Sequence, residues 1–151
     1  MLRDNIVNGA KFVDATHKAT VELKTGMGVV IGETGVKLPA TATGVDVFVV
    51  QKQRIPTGIN AAKSEFSDYD TEFNTVKANE SVLLVKYHAG ESFLTDQFDT
   101  MTVGDRAVVG TDGKWEAATD TKTSIYVFKG TVNDNGHTLA KIEVSDTADK
   151  N

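Results

Sequence analysis

Three histidines, His17, His88 and His137, are the only imidazoles in this 151-residue chain, and cysteine is absent. None of them stands in an H-x-x-x-H or H-x-E arrangement. Zinc needs three or four converging ligands, so this spacing reads as surface or hydrogen-bonded histidine. A hydrolase triad needs a nucleophile on a strained turn with a base in reach. No G-x-S-x-G occurs, and Ser81, Ser92 and Ser124 have ordinary strand or loop neighbours. The pair Gly26-x-Gly28 has the look of a phosphate loop, but Val29-Val30-Ile31 follows it. Phosphate loops put their glycines at the start of a helix, and this run is a strand. Asp68-x-Asp70-x-Glu72 and Asp96-x-x-Asp99 offer hard oxygen ligands without the central glycine of a calcium loop. They read as a solvated acidic loop or as a face turned to a basic partner. Paired carboxylates for glycoside hydrolysis require a deep cleft, which a chain of short strands has little means to build. The expectation is a protein without catalytic residues, metal or cofactor.

The elements that must carry these residues are strands. Residues 45–50, 81–87 and 124–128 are short, rich in β-branched or aromatic residues and bounded by turn formers. Residues 20–23 and 140–144 alternate with period two, as half-buried strands do. Glu33-Thr34-Gly35, Thr111-Asp112-Gly113 and Asn133-Asp134-Asn135-Gly136 supply hairpin turns. Thirteen glycines against two prolines suit such a protein, and a small β-sandwich or barrel is the natural closure.

Sliding the sequence along itself lays Gly26 to Gly35 on Gly104 to Gly113. Continued without a gap, the overlay is identical at Gly26, Val30, Gly32, Gly35, Ala40, Thr41, Thr43 and Val49. This predicts two copies of one β unit, over 20–52 and 102–145, with Lys37 and Trp115 aligned. Between them lies an acidic insertion, 53–101, that includes one strand. From Ser64 to Asp99 it holds eight acids against Lys77 and Lys86, where the whole chain has 16 basic and 21 acidic residues and a net charge of −5. Phe66, Tyr69, Phe73 and Val76 fall at helical spacing, so the insertion holds a short helix or an ordered loop. Residues 1–19 read as a flexible N-terminal arm and 146–151 as a fraying tail around one compact domain.

The net charge argues against a general grip on nucleic acid or on an anionic membrane. The longest apolar runs are four residues, where a membrane helix needs about 20. The opening Met1-Leu2-Arg3-Asp4-Asn5 lacks the apolar core of a signal peptide, so a cytosolic product is expected, or one that leaves inside a larger particle.

The stretches 26–40 and 103–115 resemble the opening strands of small tailed-bacteriophage head decoration proteins, also called cement or auxiliary capsid proteins. The resemblance covers about half of the chain and is one of rhythm: glycine turn, apolar strand, glycine, tight turn. It implies a non-enzymatic structural protein of the virion, made in the host cytoplasm and carried on the capsid exterior. Its partner would be the major capsid protein, with a dimer or trimer of the chain at capsomer junctions. Phe12 and Val13 in the arm, Arg54, Phe66 and Tyr69 in the insertion, and Trp115 are the expected partner-binding residues. For Trp115, just beyond a tight turn, the plain reading is core packing at a strand start, with a partner-facing anchor as the functional alternative. The alternative function is a ligand-binding β module, carbohydrate-binding or adhesin-like, with Trp115, Tyr69 and Tyr87 as its aromatic platform.

Overall fold

A computed structural model describes residues 1–6, 12–52 and 71–151. It is all-β apart from one helical turn, α1 (Thr71–Asn74). Five strands form the first sheet: β2 (Phe12–Asp14), β4 (Gly28–Gly32), β5 (Gly35–Lys37), β6 (Phe48–Gln51) and β8 (Leu83–Lys86). Their order across the sheet is β2-β8-β6-β4-β5, and every pairing is antiparallel. Six strands form the second sheet: β1 (Leu2–Ile6), β9 (Ser92–Thr95), β10 (Arg106–Val109), β11 (Trp115–Ala117), β12 (Ser124–Asp134) and β13 (His137–Asp149). They run in the order β1-β9-β13-β12-β10-β11. A small ribbon pairs β3 (Leu23–Lys24) with β7 (Thr75–Val76).

The sheets stack as an open sandwich and do not close into a barrel. Val47, Val49, Val85 and Tyr87 on one side of the first sheet share a core with Phe93, Val109, Trp115, Tyr126 and Ile142 of the second. The other side of the first sheet presents Val29, Val36, Val50 and Leu84, which pack with Leu23 and Val76 of the ribbon. The first sheet is therefore a middle layer, buried on both faces. That explains why residues 47–50 and 82–85 are unbroken apolar runs rather than alternating ones.

The offset that lays Gly26 on Gly104 in the sequence recurs in the backbone. Gly28 pairs with Val49 and Val29 with Phe48, and likewise Arg106 pairs with Val127 and Ala107 with Tyr126. The hydrogen bonds Gly26 N–H to Val50 O, Met27 N–H to Lys24 O and Val50 N–H to Met27 O reappear as Gly104 to Phe128, Asp105 to Thr102 and Phe128 to Asp105. Gly26 and Gly104 both adopt positive φ, 90° and 101°. In chain order the first sheet runs β2, β4, β5, β6, β8, and its lateral order matches β9-β13-β12-β10-β11 strand for strand. This places β8 and β9, both inside the expected insertion, as the last strand of one sheet plan and the first of the next.

Three further expectations change. The second hairpin is one residue longer than the first: Ile31 pairs with Val36, whereas Val109 pairs with Trp115. Trp115 thus stands opposite Val36, and not Lys37, in the shared plan. The arm is largely sheet, because Leu2–Ile6 pairs along β9 and Phe12–Asp14 along β8. The tail is held as well. Ser124 pairs with Asp149, and the Asn151 amide donates to Ala118 O at 2.5 Å while its oxygen accepts from Arg106 N–H. An asparagine amide presents a donor and an acceptor side by side, as a strand does, so it caps the β10–β11 ladder.

The turns behave as their residues require. Asn135 and Gly136 take positive φ at the tip of the β12–β13 hairpin. In the expected strand 20–23 only Leu23 belongs to a strand, while Thr20 N–H donates to Val36 O beside β5. Val76, one of the four residues at helical spacing, lies in β7.

Candidate partner-binding surface

Of the expected partner-binding residues the structure describes Phe12, Val13 and Trp115, and it places them in different sheets. Trp115 is fully buried, its ring edge-on to Tyr126 at 4.7 Å and its Nε1 donating to Gly26 O at 3.0 Å. That corrects its assignment as a partner anchor, because an enclosed indole has no face to offer. Tyr87 is buried too, stacked on Phe93 at 4.7 Å, and its hydroxyl donates to Asp4 at 2.5 Å. Burial, reinforced by the Asp4 and Glu91 carboxylates, pushes its phenol far above the usual tyrosine range. An aromatic platform of Trp115 and Tyr87 is therefore not formed. Arg54, Phe66 and Tyr69, with Asp68 and Asp70, lie outside the described residues. Phe12 stands in β2, and its neighbour Val13 is 46% exposed on the edge of the first sheet. Ile6, in edge strand β1, is comparably exposed.

The described titratable groups are dispersed. Among the described residues no group of three or more His, Asp or Glu side chains could hold a metal ion. His17 Nδ1 lies 3.0 Å from Asp14 Oδ2. The Thr16 hydroxyl and amide bind the same carboxylate and hold it below the usual aspartate range. The Thr16 hydroxyl lies 3.1 Å from the same ring nitrogen, Nδ1, that faces the acid. Of the second acidic motif, Asp96 meets the Met1 ammonium while Asp99 lies 3.4 Å from Lys114, so the two carboxylates do not share a site.

A surface the sequence did not single out lies on the outer side of the second sheet. A groove of about 700 Å³ is open there, lined in part by Gly104, Arg106, Val127, Lys129, Glu143 and Asp146. Lys129 pairs with Glu143 at 3.4 Å, and Arg106 with Asp149 at 2.5 Å. The signal available beforehand was that Gly28 and Gln51 of the first copy become Arg106 and Lys129 in the second. Its counterpart in the last strand was hidden, since Val85 and Glu143 are not separated by the offset that relates the two copies. They correspond because Val49 pairs with Val85 as Val127 pairs with Glu143.

No known protein family matches the chain, and no curated protein and no solved structure does so either.

Proposed function

We propose that this chain is a non-enzymatic structural protein of a virion, which binds the outer surface of a phage capsid and stabilises the lattice of major capsid protein. The observation that supports it is the placement of the two stretches that resemble head decoration proteins. Residues 26–35 and 104–113 occupy the same position in each sheet plan and carry the same three turn hydrogen bonds. A doubly layered β body without disulfides suits a clamp, because attachment at many lattice points adds avidity to modest single contacts. Ile6 and Val13, exposed apolar residues on the edge strands β1 and β2, are the contacts this reading assigns from the described residues. The virion exterior is the location that follows, after synthesis in the host cytoplasm.

Cosedimentation with undecorated shells tests it. Saturable binding in simple proportion to capsid subunits is expected, weakened by Ile6→Asp or Val13→Asp. Absence of binding by the folded chain overturns it. Deletion of residues 1–18 is unsuitable as a probe, since it removes β1 and β2 from their sheets.

A further inference from the structure

The shared strand plan gives each sheet a front and a back. The front of the first sheet carries Val29, Val36, Val50 and Leu84, and the same positions of the second are Ala107, Trp115, Phe128 and Ile142. The back of the first carries Gly28, Val49 and Val85, and the same positions of the second are Arg106, Val127 and Glu143. Within the chain the front of the second sheet docks on the back of the first. Val109 fills the space that a Cβ on Gly28 would occupy. Phe93 stacks on Tyr87, and the Tyr126 hydroxyl donates to Val47 O at 3.2 Å. The front of the first sheet is closed by the β3–β7 ribbon. Among the described residues the back of the second sheet is the face left partly open: Leu94 and Leu139 are buried there with Met1, while Arg106, Val127, Lys129 and Glu143 keep exposure along the groove.

We infer that this back face is a self-association surface whose partner is the same face of a second copy of the chain. Its geometry selects that occupant. The front of the first sheet, which would have to receive such a back face in an open series of copies, is covered by the ribbon. Two equal back faces meeting about a twofold axis make a closed pair. The charges agree: the groove is lined by Arg106 and Lys129 against Glu143 and Asp146, two of each sign, on a chain whose net charge is −5. The net charge opposes association of two copies in general, and a twofold at this face brings the Lys129–Glu143 pair of one copy, 3.4 Å apart within the chain, against that of its mate. Val127, half-buried on the groove floor, supplies apolar contact where the first sheet uses Val49. Association at this face does not depend on capsid binding.

Light scattering and sedimentation equilibrium of the full chain, over a wide concentration range at low salt, provide the test. A concentration-dependent doubling of mass is expected. Lys129→Glu and Glu143→Lys each raise the dimer dissociation constant about tenfold or more, and the double exchange restores it. Val127→Asp abolishes the dimer, with far-UV circular dichroism showing the fold retained. Should Val127→Asp unfold the chain, the exposed Lys129→Glu still decides. A monomer at every concentration overturns the inference, as does a dimer indifferent to Lys129→Glu and to the double exchange.

Discussion

The two sheets share one strand plan and differ in what lies behind them. Val85 is wholly enclosed between layers, while Glu143 at the same place in the second sheet is partly exposed and paired with Lys129. Gly28 has no room for a Cβ, whereas Arg106 extends over the outer face to Asp149. A matching strand order and pairing thus accepts opposite side chains according to whether another layer covers it. Stacked repeats show the same logic, with a polar outer face on the last unit.

Exchanging residues between equivalent positions is the most severe probe of this difference. Val85→Glu buries a carboxylate without a partner and is expected to cost at least about 4 kcal/mol, enough to abolish folding. Glu143→Val should change stability by no more than about 0.5 kcal/mol. Urea denaturation measures both, and equal costs would remove the front-to-back arrangement. Next in size is Trp115→Ala, at about 3–5 kcal/mol, since the indole is fully enclosed and its N–H is bonded. Val36→Ala at the matching place should cost about 2 kcal/mol, from the smaller apolar surface involved.

A finer comparison uses two glycines of like conformation. Gly26→Ala and Gly104→Ala both meet the strain of positive φ, about 1–2 kcal/mol. At Gly26 the new Cβ would also press on Thr95 Oγ1 and lie 2.5 Å from Met1 O, while at Gly104 nothing lies within 4 Å. Overpacking should therefore add about 1–3 kcal/mol at Gly26 alone, read as a difference in thermal midpoint. Matching losses would mean that the turn at Gly26 stands as open as its counterpart.

The pH responses are the smallest effects near neutrality and separate the buried from the exposed side. Burial pushes the phenols of Tyr87 and Tyr126 upward. Neutral in the fold but ionising once unfolded, they contribute stability that is complete below the ordinary tyrosine pKa of about 10 and is lost as pH rises beyond it. Absorbance at alkaline pH should show these two of the three tyrosines titrating only with unfolding. Asp14, held low chiefly by the Thr16 hydroxyl, acts in the opposite direction. Its contribution is present above the ordinary aspartate pKa and fades as pH falls through its lowered value. Asp14→Asn should cost a little at pH 6, and the deficit should vanish in strong acid. A deficit constant with pH would show that the carboxylate charge is not what Thr16 and His17 recognise.

Much of the fold was legible because strand signals are local. Residues 81–87 and 124–128 contain β8 and the start of β12, and Asn135-Gly136 closes the hairpin that follows. The edge strands were not legible. Leu2–Ile6 and Phe12–Asp14 mix polar and apolar residues without a clean period, and they are strands because β9 and β8 offer them backbone edges to pair with. Trp115 was ambiguous for the same kind of reason: a large aromatic after a turn can face inward or outward, and only the layer above it decides. The outer groove escaped notice because its polar residues look ordinary until Val85 and Glu143 are known to share a position.

From residue order alone came the β class, the turn positions, the absence of cysteine chemistry and the offset that lays residues 26–35 on 104–113. These follow from short-range preferences: glycine and asparagine at positive φ, and β-branched residues in extended backbone. Tertiary structure decided which face of each sheet is buried, that the N-terminal strand completes the second sheet, and that Trp115 serves the core. Burial is set by contacts between residues far apart in the chain, and no local pattern tells a strand whether one layer or two will cover it.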